Sequence, residues 1–263
     1  MVARLGPTIF CEGVARGADV RLLEAARAAL VVTHPLADRV ELRAANAWTS
    51  LTPLLGAFKD EPSPVRAIRD RDFLPHDFVA GQRLKPASPF PLTRHCIESY
   101  LLDSSTFIAV AGVALPAYEA ARDEVADERE WPDAAQGVLD QYIRQHRHHP
   151  QLGKAAITDR AAAIAAVEAS LHGFSQRADH WPEVIDVSAA LDVMSADFHA
   201  DGPLWARVDG KKLLSSLRDR FDPTGKLGDR DAFRDRLVNH AVLHPPPALR
   251  ADLAALLETM QRR

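Results

Sequence analysis

Residues 65–73 read VRAIRDRDF, a short apolar run that passes straight into two aspartates, Asp70 and Asp72. Ala67 and Ile68 have the character of a buried strand. A strand repeats every second residue, so its extension places both carboxylates on one face at its carboxyl end. In an open α/β sheet that end is where ligands bind. Two carboxylates converging on one place repel each other and stay ionised only beside positive charge, most simply a divalent cation. Taken alone, the same letters also read as a surface ladder of arginine and aspartate.

Upstream, Pro7–Cys11 (PTIFC) suits a buried strand and ends at Glu12-Gly13, an acid at a strand's carboxyl end beside a residue that permits a sharp turn. Val20, Leu23, Ala26 and Leu30 then recur at helical spacing over Asp19–Val32, with Asp19 placed to cap. Val40–Ala44 reads as a second strand, and Glu41 and Arg43 give it an edge character. Trp48, Leu51, Leu54, Leu55 and Phe58 mark a second helix before the Asp70/Asp72 strand. Strand–helix–strand–helix–strand order predicts a parallel sheet with right-handed crossovers.

Beyond it, Leu84–Leu92 reads as a proline-rich loop. Thr93–Leu102 (TRHCIESYLL) carries a helical apolar set, Ile97, Tyr100 and Leu101, with Glu98 off that stripe. From Leu115 to Ala200 the pattern is helical, with breaks expected at Trp131-Pro132, His149-Pro150 and Trp181-Pro182. Pro203–Asp209 (PLWARVD) is expected to return as a strand before Gly210-Lys211 opens an amphipathic helix. Two last helices are expected over Asp231–Leu243 and Ala248–Met260. The organisation is an α/β core over 1–114, a helical insertion over 115–200, and a return to the core with C-terminal helices over 201–263.

The 263 residues suffice for a sizeable core, and 47% hydrophobic with 26% charged is ordinary globular composition. A net charge of −4 leaves no bulk basic field, so any grip on nucleic acid must be local. Cys11 and Cys96 make neither a disulfide framework nor a zinc spacing, and read as buried thiols of a reducing, cytoplasmic compartment. No apolar run reaches the ~18 residues of a membrane span. His146, His148 and His149 lack metal-ligand spacing and companions, so they read as a basic helix end. Arg66, Arg69, Arg71, Arg83 and Arg94 either neutralise phosphates or pair with nearby aspartates. Trp131, Trp181 and Trp205 read as packing residues.

Three separated segments thus offer carboxylates: Glu12, the Asp70/Asp72 pair, and Glu98. Magnesium prefers oxygen ligands, and two such ions can stabilise the attacking and leaving oxygens of a phosphodiester displacement. A nearby lysine would offset charge on the phosphorane. Structural alternatives stand beside this reading: a loop carboxylate for Glu12, a solvated helix face for Glu98, and an exposed helix start for Lys211 and Lys212.

An apolar strand ending in EG, then one ending in DxD, resembles the Toprim domain of topoisomerases, primases and OLD-type nucleases. IESYLL is similar to an element that follows DxD in OLD-like Toprim nucleases and in small Toprim proteins acting with ABC-type ATPases. Gly210-Lys211-Lys212-Leu213-Leu214 is similar to the GKxLL element closing such domains. The resemblance covers about residues 7–113 and 200–220 and implies a Toprim-like Rossmannoid parallel sheet with a large helical insertion or C-terminal helical elaboration.

It further implies a magnesium-dependent endonuclease, with manganese as substitute ion, cutting DNA or RNA, tRNA included. The chain would be the effector of an anti-phage pair with an ABC-type ATPase, compatible with a homodimer and without a membrane. Glu12 would be a metal ligand and general acid or base. Asp70 and Asp72 would hold the catalytic ion, Glu98 the second-metal side, and Lys211 would be the transition-state cation. One departure stands out: the EGxxD pattern places a second acid where this chain has Arg16, and Asp19 is the nearest replacement. Two other readings compete: a non-catalytic Toprim-like scaffold binding an ATPase and nucleic acid, and a DxD metal-dependent nucleotide-sugar transferase.

Overall fold

The computed structural model describes residues 6–46, 48–146, 152–153, 156–175, 185–222 and 224–261. Four parallel strands, β1 (Thr8–Cys11), β2 (Glu41–Ala44), β3 (Val65–Arg69) and β4 (Phe90–Pro91), form a sheet in the order β2-β1-β3-β4. The sheet is doubly covered because its central strands alternate. Ile9, Cys11 and Ile68 join the large core on one face, while Phe10, Val65 and Ala67 pack with Leu51 and Leu55 of α3 (Trp48–Ala57) on the other. The first face is covered by α1 (Ala18–Leu30), whose Leu22, Leu23, Ala26 and Leu30 are buried at helical spacing. As expected, β2 is an edge strand, with Glu41 and Arg43 paired to each other.

The remaining helices are α2 (Pro35–Arg39), α4 (His76–Arg83), α5 (Ser104–Ala111), α6 (Leu115–His146), α7 (Arg160–Ser175), α8 (Val187–His199), α9 (Gly210–Phe221), α10 (Arg230–Leu243) and α11 (Pro247–Gln261). α6 spans two cores. Tyr118, Ala121, Val125 and Ala126 belong to the sheet's core, whereas Ala134, Ala135, Val138 and Leu139 build a second core with α7 and α8. The sheet is therefore followed by a large helical region. Among the described residues no helix is long and apolar enough to cross a membrane.

Several local expectations are corrected. No break occurs at Trp131-Pro132: α6 runs through Pro132, held on both sides by buried residues whose packing offsets an interior proline's cost of ~3 kcal/mol. Residues 203–209 are not a strand. The Ala206 N–H bonds Pro203 O and the Arg207 N–H bonds Leu204 O, closing a 3-10 turn at Leu204–Ala206. The proline-rich loop contains β4, paired to Ile68 and Arg69. The expected breaks at His149-Pro150 and Trp181-Pro182 lie outside the described residues.

Candidate metal and phosphate site

β1 and β3 are direct neighbours, with Cys11 opposite Ile68. Their parallel pairing brings Glu12 and Asp70 out at the same carboxyl edge, two residues that are far apart in sequence. Gly13, at φ 96°, turns the chain away and bridges Asn46. A Cβ on Gly13 would lie 2.8 Å from Asp19 Oδ2. The glycine thus leaves room for the Asp19 carboxylate beside Glu12. This changes the role expected of Asp19: Gly17 is the N-cap of α1, and Asp19 sits in the first turn with its carboxylate turned toward Gly13.

Asp70 and Asp72 are not on the strand. β3 ends at Arg69, and Asp72 has a left-handed backbone at φ 51° with its N–H bonded to His95 O. Strand alternation therefore does not set their direction. Asp70 Oδ1 accepts from the Ile97 N–H at 3.1 Å, while Asp72 Oδ2 accepts from Arg69 Nη2 at 2.7 Å. Arg69 is thus the site's own positive partner, the plainer of the two expected uses of the arginines. Arg71 and Arg83 also pair with aspartates, but with Asp201 and Asp252 from distant parts of the chain rather than with those flanking the strand. Arg94 instead lies over the Trp205 ring.

Glu98 is not a solvated helix face. Residues Ile97–Leu102 form a 3-10 turn buried on every side, and Glu98 is only 5% exposed. The start of α9 packs against this turn so closely that a Cβ on Gly210 would overlap Ser99 Oγ and lie 2.8 Å from Ser99 N. That approach sets Lys211 Nζ 3.9 Å from Glu98 Oε1. Asp209 caps α9 through the Lys211 and Lys212 N–H groups. Lys212 faces Asp209 and the fully buried Asp133.

The electrostatics tie these residues together. Burial pushes Glu12 up to about 7; Arg69 works against this, Asp72 adds to it, the Asp70 backbone opposes it, and Asp19 adds further. Burial likewise pushes Asp19 up to about 6, reinforced by Glu98 and opposed by Lys211 and Arg234. Asp70 is driven well above the carboxylate range by burial and then by Glu12, Asp19, Asp72 and Glu98. Burial disfavours the Lys211 charge, yet Glu98, Cys96, Asp70 and Asp19 together hold its ammonium above its ordinary value. Cys11 and Cys96 are free buried thiols, both pushed up chiefly by burial, and so suited to packing.

Of the carboxylate oxygens at this site, Glu12 Oε1 and Glu98 Oε2 are buried without hydrogen-bond partners. Buried carboxylate oxygens are costly when unpaired, and an all-oxygen donor set under mutual repulsion fits a hard divalent cation. Among the described residues, however, no three His, Cys, Asp or Glu side chains are grouped closely enough to form a ready cage. That suits magnesium better than zinc, because magnesium usually keeps waters and takes one or two carboxylates plus substrate phosphate. The histidine cluster at 146–149 lies outside the described side chains, as does Trp181.

A second feature has no clear signature in the sequence. Beside the acids, a cleft of about 490 Å³ opens between α6, α9 and α10, lined by Glu98 and Lys211 and by arginines of all three helices. Arg230 and Arg234 stand one turn apart on α10, which is a weak local signal. Their convergence with Arg129 and Arg218 has none. Comparison with known protein families, with curated proteins and with solved structures finds no match to this chain.

Proposed function

We propose that this chain is a magnesium-dependent Toprim-like nuclease that cleaves phosphodiester bonds in DNA or RNA. The observation that carries this reading is the pairing of β1 with β3, which delivers Glu12 and Asp70 to one edge where Asp19, Glu98 and Lys211 join them. The residues suited to hold the ion directly are Glu12 and Asp70, completed by waters and substrate phosphate, with Asp19 and Glu98 beside them and Asp72 shared with Arg69. When bound, the cation would polarise the phosphoryl oxygen and lower the pKa of a water. Glu12, poised near neutrality, takes a proton at its otherwise unpartnered Oε1. Lys211 supplies fixed positive charge where negative charge grows on the phosphoryl group.

By the same resemblance, an ABC-type ATPase is the proposed partner and anti-phage defence the proposed setting, since the sequence has no Walker A loop of its own. The test is magnesium-dependent cleavage of labelled DNA and RNA by the wild type, Glu12→Gln and Asp70→Asn. Both variants should lose cleavage while remaining folded; intact cleavage by both rejects the assignment. The Arg69–Asp72 pair favours a second reading, a non-catalytic Toprim-like scaffold, because it occupies one carboxylate with a protein cation. A scaffold would take up no magnesium at these residues.

A further inference from the structure

We propose that the cleft between α6, α9 and α10 holds the phosphates that flank the scissile bond of a single nucleic-acid strand. This deepens the nuclease reading and rests on it for the direction in which the strand runs. The cleft's lining carries six cationic side chains, Arg129, Lys211, Lys212, Arg218, Arg230 and Arg234, against two carboxylates, Glu98 and Asp231. Arg129 pairs with Asp133, Lys212 with Asp133 and Asp209, and Arg218 with Asp219, so the charge open to a ligand lies at Lys211, Arg230 and Arg234. Their protein partners leave room for competition. Arg230 is 68% exposed and meets Asp219 at 3.1 Å, and Arg234 reaches Asp231 only at 3.9 Å. Exposed pairs of this kind contribute ~0–1 kcal/mol, so phosphate oxygens can displace them.

The chemistry of the wall is that of phosphate binding. Ser215 and Ser216 add hydroxyls to the guanidinium groups, and Ser215 Oγ is buried without a partner. Phe233, the lining aromatic, is buried at 1% exposure and offers no open face for a base to stack on. Recognition here is therefore of the backbone and independent of sequence. The volume falls within the ~300–1,000 Å³ of small-ligand sites, enough for a nucleotide and its phosphates and too small to enclose a duplex.

The cleft adjoins the acidic residues through Lys211 and Arg234. Glu98 and its partner Lys211 line the cleft, and Arg234 is close enough to Asp19 to favour that carboxylate's charged form. A strand leaving the cleft past Lys211 and Arg234 would approach Asp19, whose charge both cations feel, and Asp70, whose charge Lys211 feels.

The test is binding of a fluorescein-labelled single-stranded oligonucleotide, DNA and RNA in turn, to the full chain in EDTA, followed by anisotropy across a salt series. Wild type should bind, and R230E/R234E should weaken binding at least tenfold. It should also flatten the log–log salt slope by ~1.4, the expectation for two lost single-strand phosphate contacts. Arg230→Ala alone, at a solvent-facing position, should weaken binding in the same direction if the double variant misfolds. Arg160→Glu, at an exposed position on α7 outside the cleft, should bind like wild type. That control separates loss of the cleft's cations from a general loss of positive charge. Unchanged binding by folded R230E/R234E, or no wild-type binding at low salt, overturns the proposal while leaving the nuclease reading to its own cleavage assay. Tighter binding of a free nucleoside triphosphate than of the oligonucleotide also overturns it, in favour of a nucleotide site.

Discussion

Replacing Gly210 by alanine should disable the site without touching any of its charged groups. The added methyl would overlap Ser99 Oγ and lie 2.8 Å from the Ser99 backbone nitrogen and 3.0 Å from Cys96 Sγ. Comfortable carbon contacts need ~3.5–4.0 Å, so the first turn of α9 must retreat by about 1 Å from the 3-10 turn. Overpacking of this kind costs ~1–3 kcal/mol, which urea denaturation would register. The functional loss should be larger than the stability loss suggests. Lys211 follows Gly210 directly, and its Nζ already stands at 3.9 Å from Glu98 Oε1, so the retreat parts the ammonium from the carboxylates. A misplacement of about 1 Å in catalytic machinery costs ~10²-fold in rate. Ser99→Ala in the same background removes the hydroxyl but not the backbone clash, and should recover only part of the loss. Magnesium-dependent cleavage measured beside urea denaturation checks both effects. Wild-type stability together with wild-type cleavage in Gly210→Ala would refute the proposed coupling between the α9 approach and the acidic site.

The other expectations can be tested on the same material. Glu12→Gln should lower cleavage by ~10²–10⁴-fold, the usual worth of a general base, with thermal unfolding showing a folded protein. In metal-free buffer the raised Glu12 and Asp19 contribute stability that is present at low pH. That contribution is lost as pH climbs from their ordinary values of 4.5 and 3.8 through about 7 and about 6. The pH dependence of stability in Glu12→Gln should accordingly be shallower than wild type across that window, and parallel curves contradict the burial assigned to Glu12. Asp252, 2% exposed, accepts from the Thr93 N–H, Thr93 Oγ1, Tyr100 Oη and Arg83 Nη2, tying α11 to the strand end. Asp252→Ala leaves those donors unpaired in the core and should cost ~3–5 kcal/mol in chemical denaturation.

The sheet was legible because its central strands are short, nearly continuous apolar runs. Ile9 and Cys11 face one way and Phe10 the other, as do Ile68 and the pair Val65 and Ala67, which is what a strand covered on both faces requires. The acidic positions were legible for a related reason, since parallel neighbours end at one edge. The paths that bring them there were not. Asp72 reaches the site through a left-handed residue beyond the strand, and Asp19 through the space left by Gly13; neither follows from periodicity. β4 is two residues long in a proline-rich stretch, too short to carry a pattern. Pro132 misled because its local cost is outweighed by tertiary packing of α6 in two cores. Asp252 occupies the apolar stripe of α11 beside Leu249, Leu253 and Leu256, an oddity that marks a buried acid but not its partners. The basic cleft had no linear signature, since its cations come from helices far apart in the chain.

The proposal of a cation pocket is tested most directly by calorimetric titration of manganese into wild type and Asp70→Asn at pH 7.5. Wild type should give a saturable binding heat that displaces protons from the buried carboxylates, and Asp70→Asn should lose it. Superimposable isotherms from the two proteins, or no saturable heat in wild type, would contradict a metal site at the β1–β3 edge.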